Sequence, residues 1–478
     1  MKNDVMNYAL EAGNLYLLGA YAPVFEEIVA KDLEVIGEIP RDINGIYIRN
    51  GPNPRFVPQG HYHWFDGDGM IHALQIRDGK ATYRNRWVRT KHFEAETKLG
   101  RSPWQGAMGN WNQNDYPDGR LPLKDTANTA VAFHNGKLMA GWYFCGDLYN
   151  IDPITLETKG VEDFNGTLNT KAMAHVKVDE VTNEMMFFDY GPKPPYMTYG
   201  VVNGTGVVKH FAEIELPGPR LPHDLGITKN YSILMDLPLY RSQKALEKGR
   251  SSLIFNPDMP SRFGVLPRYG DNSTIQWFEA EPCFIYHVIN SWDDGDEVVL
   301  DCCVVTEPPA QHPNMTAMDK LNSYLRFEAR YKRYRFNLKT GLTTEDFLDD
   351  RVAEFPLINS RYTGQKSKYS YLQRFESSKI MRFDALMKYD SEKNATQVYE
   401  YGEGKFGTEA PFIPAENAKE EDDGYVITFV TDERDQTSEA IIVDAKNVDK
   451  GPLARIKIPQ QVPLGFHGCW INGDRMLD

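Results

Sequence analysis

Along most of the chain, hydrophobic and polar positions alternate in short runs. GKATYRNRWVRT, GKLMAGWYF, EMMFFDYG, EVVLDCCVV, GYVITFVT and EAIIVDA each carry the two-residue period of a strand. Between such runs lie dipeptides that favour tight turns: Asp78-Gly79, Asn135-Gly136, Asn203-Gly204, Asp294-Gly295 and Asp423-Gly424. A helical period is visible only near Asn7–Tyr16 and over Gln243–Gly249. A string of short strands with few helices predicts an all-β sandwich, barrel or propeller. No WD or kelch repeat stands out, and no low-complexity linker interrupts the pattern. The acidic run Glu420–Asp423 reads as a solvated turn. The simplest expectation is one continuous all-β domain over residues 1–478, with residues 1–20 as an N-terminal extension.

Composition narrows the function more than the fold. The chain has 478 residues, with 53 Lys and Arg against 67 Asp and Glu, a formal charge of −14. Its 41% hydrophobic and 25% charged residues, with 38 Gly and 29 Pro, exclude disordered and collagen-like chains, and its acid excess gives no basic footprint for nucleic acid. It also argues against electrostatic docking on an anionic membrane, and it favours a neutral or cationic ligand, greasy ones included. The five cysteines form no CxxC pair. Cys302 and Cys303 are adjacent, so on a strand they face opposite ways, which suits packing rather than a disulfide framework or zinc cage. There is no apolar signal segment after Met1, and no run reaches the roughly 18 apolar residues of a membrane span. The expected compartment is the reducing cytosol.

The common catalytic signatures (GxSxG, GxxxxGK[ST], HExxH, a dinucleotide fingerprint) are missing. Eleven histidines remain, four of them in pointed contexts: His175 in AHV, His223 in PHD, His287 in YHV and His467 in FHG. Each lies beside or within a predicted strand. Four imidazoles converging from separate strands would make an all-nitrogen site suited to Fe, Cu, Zn or Ni. Spacing alone does not select that set, because a single histidine on a strand is more often a core or surface residue.

Longer segments supply the selection. Residues 35–90 contain VIGEIPRDINGIYIRNGPNPRF and HYHWFDGDGMIHALQIRDGKATYRNRWVRT, followed in order by ANTAVAFHNGKLMA, AHVKVDEVTNEMMFFDYG, LPHDLGIT, CFIYHVINSWDDGDEVVLD, EFPLINSRYTG and PLGFHGCW. These collinear segments resemble the carotenoid cleavage oxygenases, a family that includes stilbene-cleaving enzymes.

The resemblance implies a seven-bladed β-propeller with Fe(II) on its axis, and loops and short helices capping a substrate tunnel. The implied metal ligands are His175, His223, His287 and His467. The other seven histidines (His61, His63, His72, His92, His134, His210 and His312) match no ligand position. The implied activity is O2-dependent cleavage of a conjugated C=C bond in a carotenoid or apocarotenoid, giving two carbonyl products. Relatives set three Glu carboxylates behind the ligands; two are present, Glu354 in AEFPLIN and Glu409 in TEAPFIP. Counting back from Asp152-Pro153 puts Phe144 where the third would stand, which leaves one imidazole, His223, to find another partner. Stilbene-cleaving relatives carry a phenol-gripping Lys at the position of Tyr143. Tyr143 and Phe144 are therefore expected in the substrate pocket. Segment Tyr240–Met259 is mostly polar where relatives carry apolar insertions, so membrane contact should be weak and peripheral at most. The alternatives are a stilbenoid or phenylpropene cleaver releasing an aromatic aldehyde and, further off, an iron-bearing isomerohydrolase or a silent polyene-binding propeller.

Overall fold

The structure, a computed structural model, describes residues 2–113, 123–144, 146–172, 174–248, 253–308, 315–325, 328–376, 378 and 380–476. Its strands form seven antiparallel sheets arranged as the blades of a propeller, each packed on the next through its innermost strand. Residues 130–161, 177–215, 284–347 and 353–400 are plain four-stranded meanders. Residues 226–280 form another, interrupted by a two-stranded ribbon that pairs Leu239–Arg241 with Leu253–Phe255.

The last two sheets borrow strands across the chain. Gly45–Pro52, Gly69–Arg77 and Lys80–Trp87 take the C-terminal strand Gly468–Asn472 as their innermost partner. The sheet of Gly424–Asp432, Thr437–Asp444 and Pro452–Ile458 takes Val35–Gly37 from near the N-terminus as its outer edge. The two ends of the chain thus complete each other's sheets, which closes the ring and leaves only short outer edges.

All six alternating runs are strands. Asp78-Gly79 and Asn135-Gly136 make two-residue hairpins, all four residues at positive φ, as the twist of the flanking strands requires. Asn203-Gly204 instead opens a five-residue loop, and Asp423-Gly424 ends the long connection after Phe412–Pro414. The first helix runs over Lys2–Ala12, earlier than its periodicity indicated, and the second shrinks to Gln243–Leu246. Helices Lys91–Leu99 and Ala317–Tyr324 gave no clear period and start from capping residues Thr90 and Thr316. The acidic run is not simply solvated. Glu421 accepts from Lys368 N and Tyr369 N, and Asp422 pairs with buried Lys388 at 2.6 Å.

Cys302 and Cys303 do sit on opposite faces, Cys302 against Tyr334 and Phe336 and Cys303 against Tyr331 and Met387. Over one end of the ring, the N-terminal segment and helix Ala317–Tyr324 share the largest apolar cluster. That cap brings Tyr16, Tyr21 and Leu321 together with Trp64, Tyr143 and Phe466. The N-terminal extension is therefore anchored, with Tyr16 Oη accepting from Met381 N at 3.1 Å.

Candidate metal centre

Four innermost strands each carry one histidine to the propeller axis. His175, His223 and His467 lie just before strands Lys177–Asp179, Gly226–Ile227 and Gly468–Asn472. His287 lies inside Phe284–Asp294, where the pairing slips between Ile285 and Val288 and again before Asn290. Such a bulge re-aims a side chain that regular pleating would send elsewhere. All four rings are buried, and one nitrogen from each lies within 4.8 Å of all the others. His175 Nε2 and His287 Nε2 are buried there with no hydrogen-bond partner among the described residues. Buried imidazole nitrogens left unpaired and facing one another fit a transition-metal ion.

Burial pulls the pKa values of His175, His223 and His287 well below the usual value, and the neighbouring imidazoles add to the effect. The rings are held neutral, which is the state that binds metal.

Two carboxylates stand behind two of the rings. Glu354 bonds His287 Nδ1 and also accepts from Phe355 N at 2.6 Å. Glu409 Oε1 lies 3.0 Å from His467 Nδ1, and Oε2 accepts from Gly468 N at 2.7 Å. Burial pushes the Glu354 carboxyl well above the ordinary range. Next to Glu354 the chain slips register, and Phe355 adopts φ +53°. A left-handed bulky residue costs roughly 1–3 kcal/mol. The kink brings Glu354 behind His287 while the Phe355 ring packs on His287 and His467, centroids 4.9 and 5.0 Å away. Among the described residues His223 has no such carboxylate. Its Nδ1 is buried without a partner, and Tyr143 packs on the ring at 4.0 Å.

Beneath the cap lies a cavity of about 690 Å³. Tyr143, Phe144, Leu221, Phe284 and Tyr286 line its inner wall, and Tyr143 and Tyr286 touch His223. Both Tyr143 and Phe144 line this cavity, and Tyr143 rather than Phe144 provides the ring on His223. Phe144 leans outward, toward Trp142, Phe65 and Arg241. The charged side chains on the cavity wall differ in sign from the chain's net charge. Arg241 and Lys320 line the cavity, and no Asp or Glu does so among the described residues. Net charge averages the whole surface, whereas a ligand meets the wall it touches.

The profile of the retinal pigment epithelial membrane protein family matches residues 21–472. The chain belongs to the carotenoid cleavage oxygenase family. It is 39% identical to the carotenoid 9,10(9',10')-cleavage dioxygenase of Crocus sativus, over 96% of this chain and 90% of that protein. It is 31% identical to the isoeugenol monooxygenase of Pseudomonas nitroreducens, over 95% and 97% of the two chains. The lignostilbene dioxygenase of Pseudomonas brassicacearum superposes with a TM-score of 0.85 at 27% identity, covering 96% and 98%.

For a carotenoid cleavage oxygenase, two charged groups here escape motif reading, buried Asp224 and half-buried Arg241. Asp224 Oδ2 accepts from Lys177 Nζ and from Val288 N, both at 2.8 Å. These residues adjoin or closely follow His223, His175 and His287, so one carboxylate ties three histidine-bearing segments together. An acid inside the apolar run LPHDL was the available signal. Arg241 was passed over as part of a polar insertion. Four histidines outside the cluster make hydrogen bonds within the fold: His72 to Tyr83, His92 to Asp125 N, His134 to Asn183 O and His210 to Gly270 O. His63 is buried and lines the cap cavity. His312 and Cys145 lie outside the described residues.

Proposed function

We propose that this oxygenase is a non-haem Fe(II) dioxygenase that cleaves a conjugated C=C bond of a carotenoid or apocarotenoid with O2, releasing two carbonyl products. The observation carrying this reading is the buried four-histidine cluster, in which His223 is in ring contact with Tyr143 and Tyr286 of the aromatic-walled cavity. In it, His175, His223, His287 and His467 hold the iron. When bound, that iron would supply the redox step that triplet O2 needs in order to react with a spin-paired alkene. Glu354 and Glu409 accept from the second nitrogens of His287 and His467, fixing their tautomers and offsetting cationic charge. Tyr143, Phe144, Phe284 and Tyr286 keep the site dry and bind the conjugated system by its faces. No general base is needed, and the depth of the cavity sets which bond reaches the iron.

A second reading, cleavage of a stilbenoid or phenylpropene to an aromatic aldehyde, is favoured by the relative named isoeugenol monooxygenase and by the fold match to a lignostilbene dioxygenase. We place the protein in the cytosol, where its buried thiols Cys283, Cys302 and Cys303 persist unpaired. No helix among the described residues is long and apolar enough to cross a membrane, so any membrane contact is peripheral.

The test is a product assay on Fe(II)-loaded protein given an apocarotenal and a hydroxystilbene, with and without O2. Shortened polyene aldehydes formed only with O2 are expected. Aromatic aldehydes alone would promote the second reading, and no cleavage despite bound iron would reject both.

A further inference from the structure

His63 precedes the short helical turn Trp64–Asp66, and that turn clamps its ring. His63 Nδ1 accepts from Phe65 N at 3.0 Å, while Asp66 accepts from His63 N at 2.8 Å and from Ala107 N at 2.9 Å. The cap is reciprocal, side chain to backbone in both directions, so the imidazole is held in one orientation. With Nδ1 as the acceptor, a neutral imidazole carries its proton on Nε2. Burial, with Arg241 nearby, lowers the His63 pKa to about 3, which keeps the ring neutral at any physiological pH.

The residue is 5% exposed and forms part of the cap-cavity wall. A wall ring whose Nδ1 is spent on the backbone presents its Nε2–H to the cavity, and no hydrogen bond joins Nε2 to a described residue. Other polar groups of the wall are engaged within the protein. Tyr143 Oη donates to Leu221 O at 3.3 Å, and Gln105 Nε2 donates to Gln59 Oε1 at 3.0 Å. The surroundings of His63 are aromatic, with Phe65 and Phe144 at 4.8 and 6.4 Å between ring centres. From Phe144 contact passes to Tyr143, at 4.9 Å, and from Tyr143 to the metal-centre residue His223. A fixed, uncharged donor therefore stands two rings away from the metal centre. A hydrocarbon filling the cavity leaves that donor unpaired, whereas an oxygen placed against it does not.

Resting on the oxygenase reading above, we infer that His63 is a specificity-determining residue whose Nε2–H donates to an uncharged oxygen of the substrate. The preferred alkene then carries a carbonyl, hydroxyl or ether oxygen at a distance from the bond that is cleaved. Such an oxygen can belong to a polyene or to an aromatic alkene; both present the same acceptor to His63. The ring sets which molecule binds and in what register. It takes no part in breaking the double bond, and it neither gains nor loses a proton.

Equilibrium dialysis of anaerobic, Fe(II)-loaded protein tests this with two pairs of similar shape: retinal against axerophthene, in which a methyl replaces the aldehyde, and 4-methoxystilbene against 4-ethylstilbene. In at least one pair the oxygen-bearing member should bind about fivefold or more tightly, as satisfying a buried donor requires. Preference confined to the retinoid pair identifies the polyene source, and preference confined to the stilbene pair the aromatic one. His63→Asn keeps an acceptor near the place of Nδ1, so the cap on Phe65 N survives, but the donor is gone; the two members should then bind within about twofold of each other. His63→Gln keeps an N–H near the place of Nε2 and should hold most of the native preference. Equal binding within both pairs by the native protein, or a preference that a folded His63→Asn variant keeps in full, would overturn the inference. If members of the pairs are nevertheless cleaved under O2, the oxygenase reading stands without it. If no member of either pair binds or is cleaved, both fall together.

Discussion

Glu409 meets His467 side chain to side chain, Oε1 to Nδ1 at 3.0 Å, while its other oxygen accepts from the backbone of Gly468. One carboxylate therefore fixes both the tautomer of the ring and the start of the strand that carries it. Glu409→Gln keeps the shape but removes the charge and turns an amide N–H2 toward one of the two donors. Iron affinity should fall by about 10–100-fold with the fold intact. Titration of the variant with Fe(II), read by metal content after gel filtration, checks this; unchanged retention would remove Glu409 from the metal centre.

Asp224 joins Lys177, His223 and Val288 across three blades. Asp224→Ala leaves the Val288 N–H without an acceptor and a mostly buried ammonium without its counter-ion. The loss should be about 2–4 kcal/mol of stability. Because three histidine-bearing segments loosen together, iron retention should fall as well. Urea unfolding with and without iron measures both effects. A variant that loses stability yet holds iron as the native protein does would make Asp224 a fold residue only.

The pH dependence of iron retention follows from the direction of the histidine shifts. A free imidazole takes its proton near pH 6.5. For His175, His223 and His287 burial moves that event well lower, so the folded rings remain neutral as pH falls through 6.5. Protons then do not compete with the metal until the solution is distinctly more acidic. Iron content should stay level from pH 8 down to about pH 6. Half-loss centred at pH 6.5 would mean that the rings titrate as exposed groups.

His223 Nδ1 is buried with no hydrogen-bond partner among the described residues, and the Tyr143 ring packs on the imidazole. Phe144→Glu places an acid beside Tyr143, the ring that packs on His223, and next to the Arg241 guanidinium. The variant should fold and should retain iron at least as well as the native chain. Thermal melting with iron analysis decides. Gross unfolding would show that Phe144 is needed as packing in the aromatic cluster it shares with Phe65 and Trp142.

Much of this was legible in one dimension. Strand periodicity survives in sequence because one-face burial forces alternation, and the Asp-Gly and Asn-Gly hairpins follow from the φ values those residues tolerate. Helices Lys91–Leu99 and Ala317–Tyr324 were not legible, since each is short and held by caps and cap packing more than by its own period. The four histidines and two glutamates could be named only because long motifs surround them; a lone histidine on a strand says nothing of its neighbours.

By itself, then, the sequence determined an acidic, all-β chain, its strand order, and the residue types able to hold a metal. Tertiary structure alone decided which of them meet. Ring closure by the two chain ends brings His467 beside His175, nearly three hundred positions apart, with ring centres 4.6 Å apart. It decided that Tyr143 rather than Phe144 lies on His223, and that Arg241, from an insertion that looked merely polar, reaches the wall of the cavity. The reason is physical: local pattern is set by neighbours along the chain, whereas convergence, charge environment and burial are set by whichever distant strands the closed ring packs together.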